Sequence, residues 1–411
     1  MSPLRSRIFL PLGLFLALAW TFGCGGGSST SESGSSGGST PVSNVQAIAV
    51  NTGPSSTLGA NFNYVDGAFT SVTVCAPGSS TNCQTVGGIL VDTGSFGLRI
   101  LSSALTISLP QQNNGSGNPI VECGVFEDGV TWGPVQTADV KMAGEAASSV
   151  PIQVIGSANF STIPTDCTSQ GQPEQDLADL GANGILGIGQ AIQDCGTDCV
   201  TSASAGVYYA CPSTGCVETT ESLAQQVQNP VASFASDNNG VIVELPAVSG
   251  AEATVSGSLI FGIGTQSNNG LGGATVFGTD AYGNMNTAYQ GTQYLSFLDS
   301  GSNGIYFLDT SATSIPECTY YTYLYCPSTA LTISVVNDAE AGTNGASGPA
   351  TFTVGNADLL ESNVDNAAVN GLAGPGPGMF DFGLPFFFGR NVYTAFDGRS
   401  TPAGTGPYTA Y

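Results

Sequence analysis

Ile89–Leu101 reads ILVDTGSFGLRIL and Ser296–Leu308 reads SFLDSGSNGIYFL. Asp92, Gly94, Ser95, Gly97 and Leu101 of the first stretch recur as Asp299, Gly301, Ser302, Gly304 and Leu308 of the second, and the hydroxyl of Thr93 recurs in Ser300. In both stretches an apolar, β-prone run leads into an aspartate and a glycine turn follows at once, which predicts a carboxylate at each strand end. A duplicated fold can bring two such carboxylates together.

The rest of the composition points to an all-β protein. Charged residues make up only 9% of the 411, while 57 glycines and 22 prolines punctuate short apolar runs, a pattern of many short strands and turns. Arg5 and Arg7 fall in the first 24 residues, so four basic residues remain against 30 acids. That imbalance argues against nucleic acid as a partner. The absence of histidine excludes a Ser-His-Asp triad, a Cys-His pair and an HExxH metal site, each of which needs an imidazole. Carboxylates are left as the leading proton carriers.

Residues 1–24 carry Arg5, Arg7, an apolar run from Ile8 to Phe22 and then Gly23-Cys24, as expected of an export signal ending at a lipidated cysteine. Thr21 and Phe22 depart from the usual leucine and small residue of such a lipobox, so a simple cleaved secretory signal is the alternative. Either way the protein is expected outside the cytoplasm, secreted, periplasmic or at the cell surface; in the lipobox case a lipid on Cys24 anchors it to a membrane, the outer one included. Residues 25–44 are rich in Gly and Ser and read as a tether. Its Gly/Ser core reaches on the order of 20–25 Å as a random coil. Setting Cys24 aside, ten cysteines remain. Most lie in close pairs, Cys75 with Cys83, Cys195 with Cys199, Cys211 with Cys216 and Cys318 with Cys326, leaving Cys123 and Cys167 as a possible fifth bridge. Export favours disulfides; zinc would need four converging thiolates.

Two folded halves are expected, at 45–239 and 240–411. The first opens with a hairpin around NYVDGAFTSVTV, broken at Asp66-Gly67, and contains a second hairpin turning at Asp128-Gly129 and a buried run, NGILGIGQ, at 183–190. Helical signal is confined to Thr219–Phe234. The second half contains SGSLIFGIG, a region 311–378 that mixes a Tyr-rich loop between Cys318 and Cys326 with strands and a Gly/Pro segment and reads as decoration, and an aromatic C-terminal stretch that should pair into a sheet.

Two aspartates a few ångströms apart cannot both ionise readily, so they share a proton and titrate as a unit. One can then take a proton from water while the other protonates an amide carbonyl oxygen, and hydrolysis needs neither metal nor covalent intermediate. Asp92-Thr93-Gly94-Ser95 and Asp299-Ser300-Gly301-Ser302 resemble the two active-site signatures of pepsin-like aspartic peptidases. NYVDGAFTSVTV resembles the opening hairpin of that family, EDGVTWGPVQTADVKMAG its flap, GANGILGIG its apolar-apolar-glycine element, and FFFGRNVYTAFD its closing strands. These landmarks run in the family's order from about residue 60 to the end. The chain also resembles a group of exported bacterial proteins without an assigned function.

The resemblance implies a bilobal β-fold with a cleft between lobes, an extended polypeptide substrate lying in it, and a water held by Asp92 and Asp299. It further implies that Thr93 and Ser300 brace the two loops and that Ser95 and Ser302 bond the outer carboxylate oxygens, with Gly94 and Gly301 allowing the approach. No cofactor or metal is implied, and a monomer is expected. Phe126, Gly129 and Trp132 would belong to the flap over the cleft, ordinary packing within the hairpin being the alternative for Phe126 and Trp132. Three features depart from the family. The flap tyrosine and its tryptophan partner are replaced by Phe126 and Arg99, the latter read as a solvated strand residue. The second apolar-apolar-glycine element, FDFG, has Asp381 in an apolar place, and no basic propeptide is seen. The alternative function is a binding or scaffold lipoprotein that keeps this fold without turnover.

Overall fold

A computed structural model describes residues 43–54 and 64–411; the leader, the lipidation site at Cys24 and nearly all of the 25–44 tether lie outside them. The chain is predominantly β. Among the described residues one sheet of sixteen strands runs through the molecule, and a second sheet has seven. Strand Val45–Val50 turns back onto Ala68–Cys75 through the pairs Ala49↔Phe69 and Val50↔Ala68. The break at Asp66-Gly67 is real: Asp66 has φ 53°, and a Cβ on Gly67 would stand 2.5 Å from the Tyr64 ring. Val45–Val50 also pairs along its whole length with Val255–Phe261, which joins Gly240–Leu245 and then Arg390–Ala395. Segments on both sides of residue 240 therefore share the large sheet.

The repeated stretches generate a repeated topology. Strand Cys83–Asp92 runs parallel to Gly184–Ile188, and Phe96–Leu101 lies antiparallel on the other side of it. In the second copy Thr292–Leu298 runs parallel to Gly376–Phe382, with Ile305–Leu308 antiparallel on its far side. The registers superimpose. Leu90 and Arg99 both pair with Ile185, and 207 residues later Phe297 and Tyr306 both pair with Asp381. Gly187 and Gly383 sit where strand crosses loop: a Cβ would meet Phe96 N at 2.6 Å in the first and Gly304 O at 2.0 Å in the second. The FDFG element is thus complete, and the aspartate in it is accommodated rather than disruptive.

Two sequence expectations are corrected. Thr219–Phe234 forms two short 3₁₀ turns, Leu223–Gln225 and Pro230–Ser233, instead of one helix. Pro230 disfavours α geometry at Asn229, whose side chain caps Val231 N, and Val227 N is taken by the Tyr208 hydroxyl. The 311–378 region is no decoration, since Leu331–Asp338 and Ser347–Val354 form an eight-pair hairpin that extends the seven-stranded sheet through Met285–Tyr289. Its inner face adds Phe352 to Phe307, Phe380, Phe382 and Phe386, whose rings touch at centroid distances of 4.9–6.0 Å.

The ten described cysteines form five disulfides, in the four close pairs and between Cys123 and Cys167, a set compatible with export from the cytoplasm. Among the described residues no helix is long and apolar enough to cross a membrane.

Candidate functional site

Asp92 ends strand Cys83–Asp92 and Asp299 directly follows strand Thr292–Leu298, and the turn behind each folds back onto the carboxylate. Gly94 N and Ser95 N donate to Asp92 Oδ1 at 2.8 and 3.1 Å, and Ser95 Oγ makes a short bond to Oδ2. In the second loop Gly301 N donates to Asp299 Oδ1 at 2.8 Å and Ser302 Oγ approaches Oδ2 at 2.9 Å. The loops meet face to face. A Cβ on Gly94 would stand 2.5 Å from Asp299 Cγ, and one on Gly301 would stand 2.7 Å from Asp92 Cγ. Only glycine allows either approach.

A reciprocal set of bonds locks the loops. Thr93 N donates to Ser300 Oγ at 3.1 Å and Ser300 N donates to Thr93 Oγ1 at 2.9 Å. Each hydroxyl in turn donates a hydrogen bond to the opposite strand, Thr93 Oγ1 to Leu298 O at 3.1 Å and Ser300 Oγ to Val91 O at 2.8 Å. All four bonds are buried, and each hydroxyl both accepts and donates. Asp92 is 6% exposed. Burial first, and then the charge of Asp299 and a hydrogen bond with it, hold the Asp92 carboxyl well above its ordinary range, although the Ser95 hydroxyl and the Gly94 N–H pull the other way. Asp92 is therefore disposed to hold its proton beside Asp299.

The hairpin of Ile120–Val125 and Gly129–Met142 brings further acids toward the pair. Desolvation and the charge of Asp299 raise the carboxyl of Asp128 at its turn. Gly129 is buried against segment 172–174, where a Cβ would stand 2.6 Å from Gln172 O. Burial, Asp128 and Asp179 push the Glu174 carboxyl up to about 8. Tyr64 also feels this group: burial and then Asp128, Asp92 and Asp299 raise its phenol. The NYVDG segment was legible as a hairpin, but its tyrosine was not singled out. Beside the first loop a recess of about 140 Å³ is lined by Thr93, Gly94, Gln190, Tyr282, Asn284 and Phe297 among others.

Two assignments made from sequence do not survive. Trp132 is 1% exposed; its Nε1 donates to Phe160 O at 2.8 Å and its ring lies edge-on to Tyr209 at 5.1 Å. It packs with the Cys123–Cys167 bridge in a satellite core and does not face a cleft, because the hairpin turns its side chain inward. Arg99 is not solvated. It is 3% exposed, donates to Phe96 O at 2.7 Å, pairs with Glu122 and reaches Asp194 Oδ2 at 3.2 Å. Burial works against its charge, but the two acids outweigh it and raise the guanidinium. The carboxyl of Asp194 is itself raised well above its ordinary range, by burial and then by Glu122, and its Oδ1 accepts from Tyr208 at 2.7 Å. Half-buried Phe126 lies with its ring centroid 5.4 Å from the Arg99 guanidinium carbon, a cation–π contact beneath the hairpin turn.

Cys318, Cys326 and Asp358 cluster closely enough to suggest a metal site, but both sulfurs are consumed in a disulfide and provide no thiolate. A family model described as a protein of unknown function (DUF3443) matches residues 40–411. No curated protein matches the chain.

Proposed function

Since the chain belongs to the DUF3443 family, a family of unknown function, its activity must be read from its own site, and we propose an aspartic endopeptidase of pepsin-like, bilobal fold. The observation that carries this reading is the meeting of Asp92 and Asp299, each loop glycine lying against the opposite carboxyl and the two loops tied by the Thr93–Ser300 exchange. Within such a pair one carboxylate takes a proton from the bound water as it attacks the scissile carbonyl carbon. The other gives its proton to the carbonyl oxygen, forming a neutral tetrahedral diol. Proton transfer to the leaving nitrogen then breaks the C–N bond and returns the pair to its starting state.

The hairpin is the cover over this chemistry. Where pepsin-like enzymes use a tyrosine bonded to a tryptophan, the contact of Phe126 with Arg99 supports the turn, and Arg99 is fixed from behind by Glu122 and Asp194. The recess beside Thr93 and Gly94 offers room for one substrate side chain. An extended polypeptide is the substrate, and a lipid on Cys24 would hold the enzyme at a membrane surface.

The test is cleavage of an unfolded protein by the purified chain between about pH 2 and 7. Cleavage that pepstatin blocks and that Asp92→Asn lowers by at least about 10³-fold is the expected result. Activity retained in Asp92→Asn would overturn the mechanism, and a chain that binds peptide without cutting it would make this a binding module.

A further inference from the structure

The two copies of the acid-bearing motif differ in polarity at one inner position of the central strand. Ile185 fills it in the first copy and Asp381 in the second, each paired with the equivalent residues on either side. Asp381 is 7% exposed. Its Oδ2 lies 2.6 Å from Ser302 Oγ, the same hydroxyl that stands 2.9 Å from Asp299 Oδ2. Its Oδ1 is buried with no partner.

Counting protons decides the state of this group. A serine hydroxyl has one hydrogen to donate, and an ionised carboxylate only accepts. Ser302 cannot donate to two carboxylates at once, so one of the two contacts requires a proton on an acid. Asp381 suits that role better than Asp299, which also accepts from Gly301 N, whereas Asp381 Oδ1 receives nothing. An anion with a bare buried oxygen is far costlier than a neutral carboxyl whose carbonyl oxygen is unpaired.

Resting on the peptidase reading for its consequence, though not for its geometry, we propose that Asp381 is a third member of the acid pair. It holds a proton that it donates to Ser302, and Ser302 in turn donates to Asp299. The chain runs Asp381 Oδ2–H to Ser302 Oγ–H to Asp299 Oδ2. If Ser302 passes its hydrogen to Asp299 while accepting the one from Asp381, Asp299 becomes protonated and Asp381 ionised, with nothing gained or lost. Asp381 is thus a positioning residue and a proton reserve.

The groups that act on Asp381 are Asp299 and Asp92 from the two loops, Glu127 from the hairpin turn and Tyr306 from the facing strand. The charged ones are carboxylates, so each ionisation makes the next harder. Burial and then Asp299 raise the Asp381 carboxyl in agreement with the geometry. Once Asp381 ionises at rising pH, its charge keeps the remaining proton on the Asp92–Asp299 pair. In acid Asp381 is neutral and has no such effect.

Infrared difference spectra of the whole protein near pH 6 test the proton directly. Asp381→Asn should abolish one protonated-carboxyl C=O band, and Ser302→Ala, which removes the acceptor, should shift that band to higher frequency. Loss of no such band in Asp381→Asn would overturn the proposal. Should that variant fail to fold, an unshifted spectrum in Ser302→Ala would do the same. In the activity profile Asp381→Asn should move the alkaline limb toward acid by on the order of one pH unit and leave the acid limb in place; superimposable profiles would refute the coupling. The infrared result does not depend on turnover, so an inactive wild type would sink the peptidase reading and leave this one to be judged on its spectra.

Discussion

Replacing Thr93 by valine isolates the exchange that joins the two loops. The substitution keeps the shape of the side chain but removes Oγ1, and with it the bond to Leu298 O at 3.1 Å and the acceptor for Ser300 N at 2.9 Å. Thr93 is 2% exposed and Ser300 fully buried, so water cannot replace either partner. Two ordinary hydrogen bonds contribute about 1 kcal/mol each, and stranding a buried N–H costs about 1–3 kcal/mol. The lost N–H bond and the stranding describe one event, so a net loss of about 2–4 kcal/mol is expected. Urea unfolding of wild type and variant at one pH would measure it as a lower midpoint at unchanged slope. A cycle with Ser300→Ala should show non-additivity of at least about 0.5 kcal/mol, because the two hydroxyls answer each other's backbone. A Thr93→Val protein within about 0.5 kcal/mol of wild type would show that the exchange does not hold the loops.

Arg99→Met should cost about 3–5 kcal/mol near neutral pH, because Glu122 and Asp194 are left buried without their cation; the loss should shrink in acid as Asp194, whose carboxyl is raised, takes up a proton, and equal losses at both pH values would refute the pairing. Asp66, Asp92, Asp194 and Asp381 all have carboxyls raised above the ordinary range, in each case by burial first. A raised folded-state value contributes stability that is complete below the unfolded value, roughly pH 4, and is lost as pH rises through the folded one. Thermal unfolding is therefore expected at higher temperature near pH 4 than near pH 8, and the reverse order would contradict these environments. The Cys123–Cys167 bridge spans 44 residues and Cys195–Cys199 only four, so replacing each pair by serine should cost about 4 and about 2 kcal/mol respectively by chain entropy, read as chemical denaturation under oxidising conditions.

The repeated Asp-Thr/Ser-Gly-Ser stretches made the strand ends, the tight turns and the pairing of the loops legible, because each is written in adjacent residues. Close cysteine spacing likewise anticipated four bridges. What sequence could not reveal depends on partners distant in the chain. Arg99 looked like a surface residue until Glu122 and Asp194, 23 and 95 positions away, were seen to enclose it. The resemblance puts Trp132 in a flap, but alternation fixes which face a residue takes only relative to its neighbours; the second layer formed by Tyr209 and the Cys123–Cys167 bridge decides that its face is inside. Asp381 looked like a flaw in an apolar element, and its meaning emerged only with Ser302, 79 positions earlier.

The exchange between Thr93 and Ser300 has a consequence for how the molecule can be divided. Each turn bonds its own carboxylate, but each loop receives its brace from a residue about two hundred positions away, so neither half carries every bond that holds its aspartate loop. Fragments parted near residue 240 would each present a misfitted turn with a stranded donor, and the N-terminal one would also expose Val45–Val50 without its neighbour Val255–Phe261. Mixed together, the same fragments would supply each other's missing parts, so this chain is suited to being split into a complementation pair whose recovery reports that the two pieces have met.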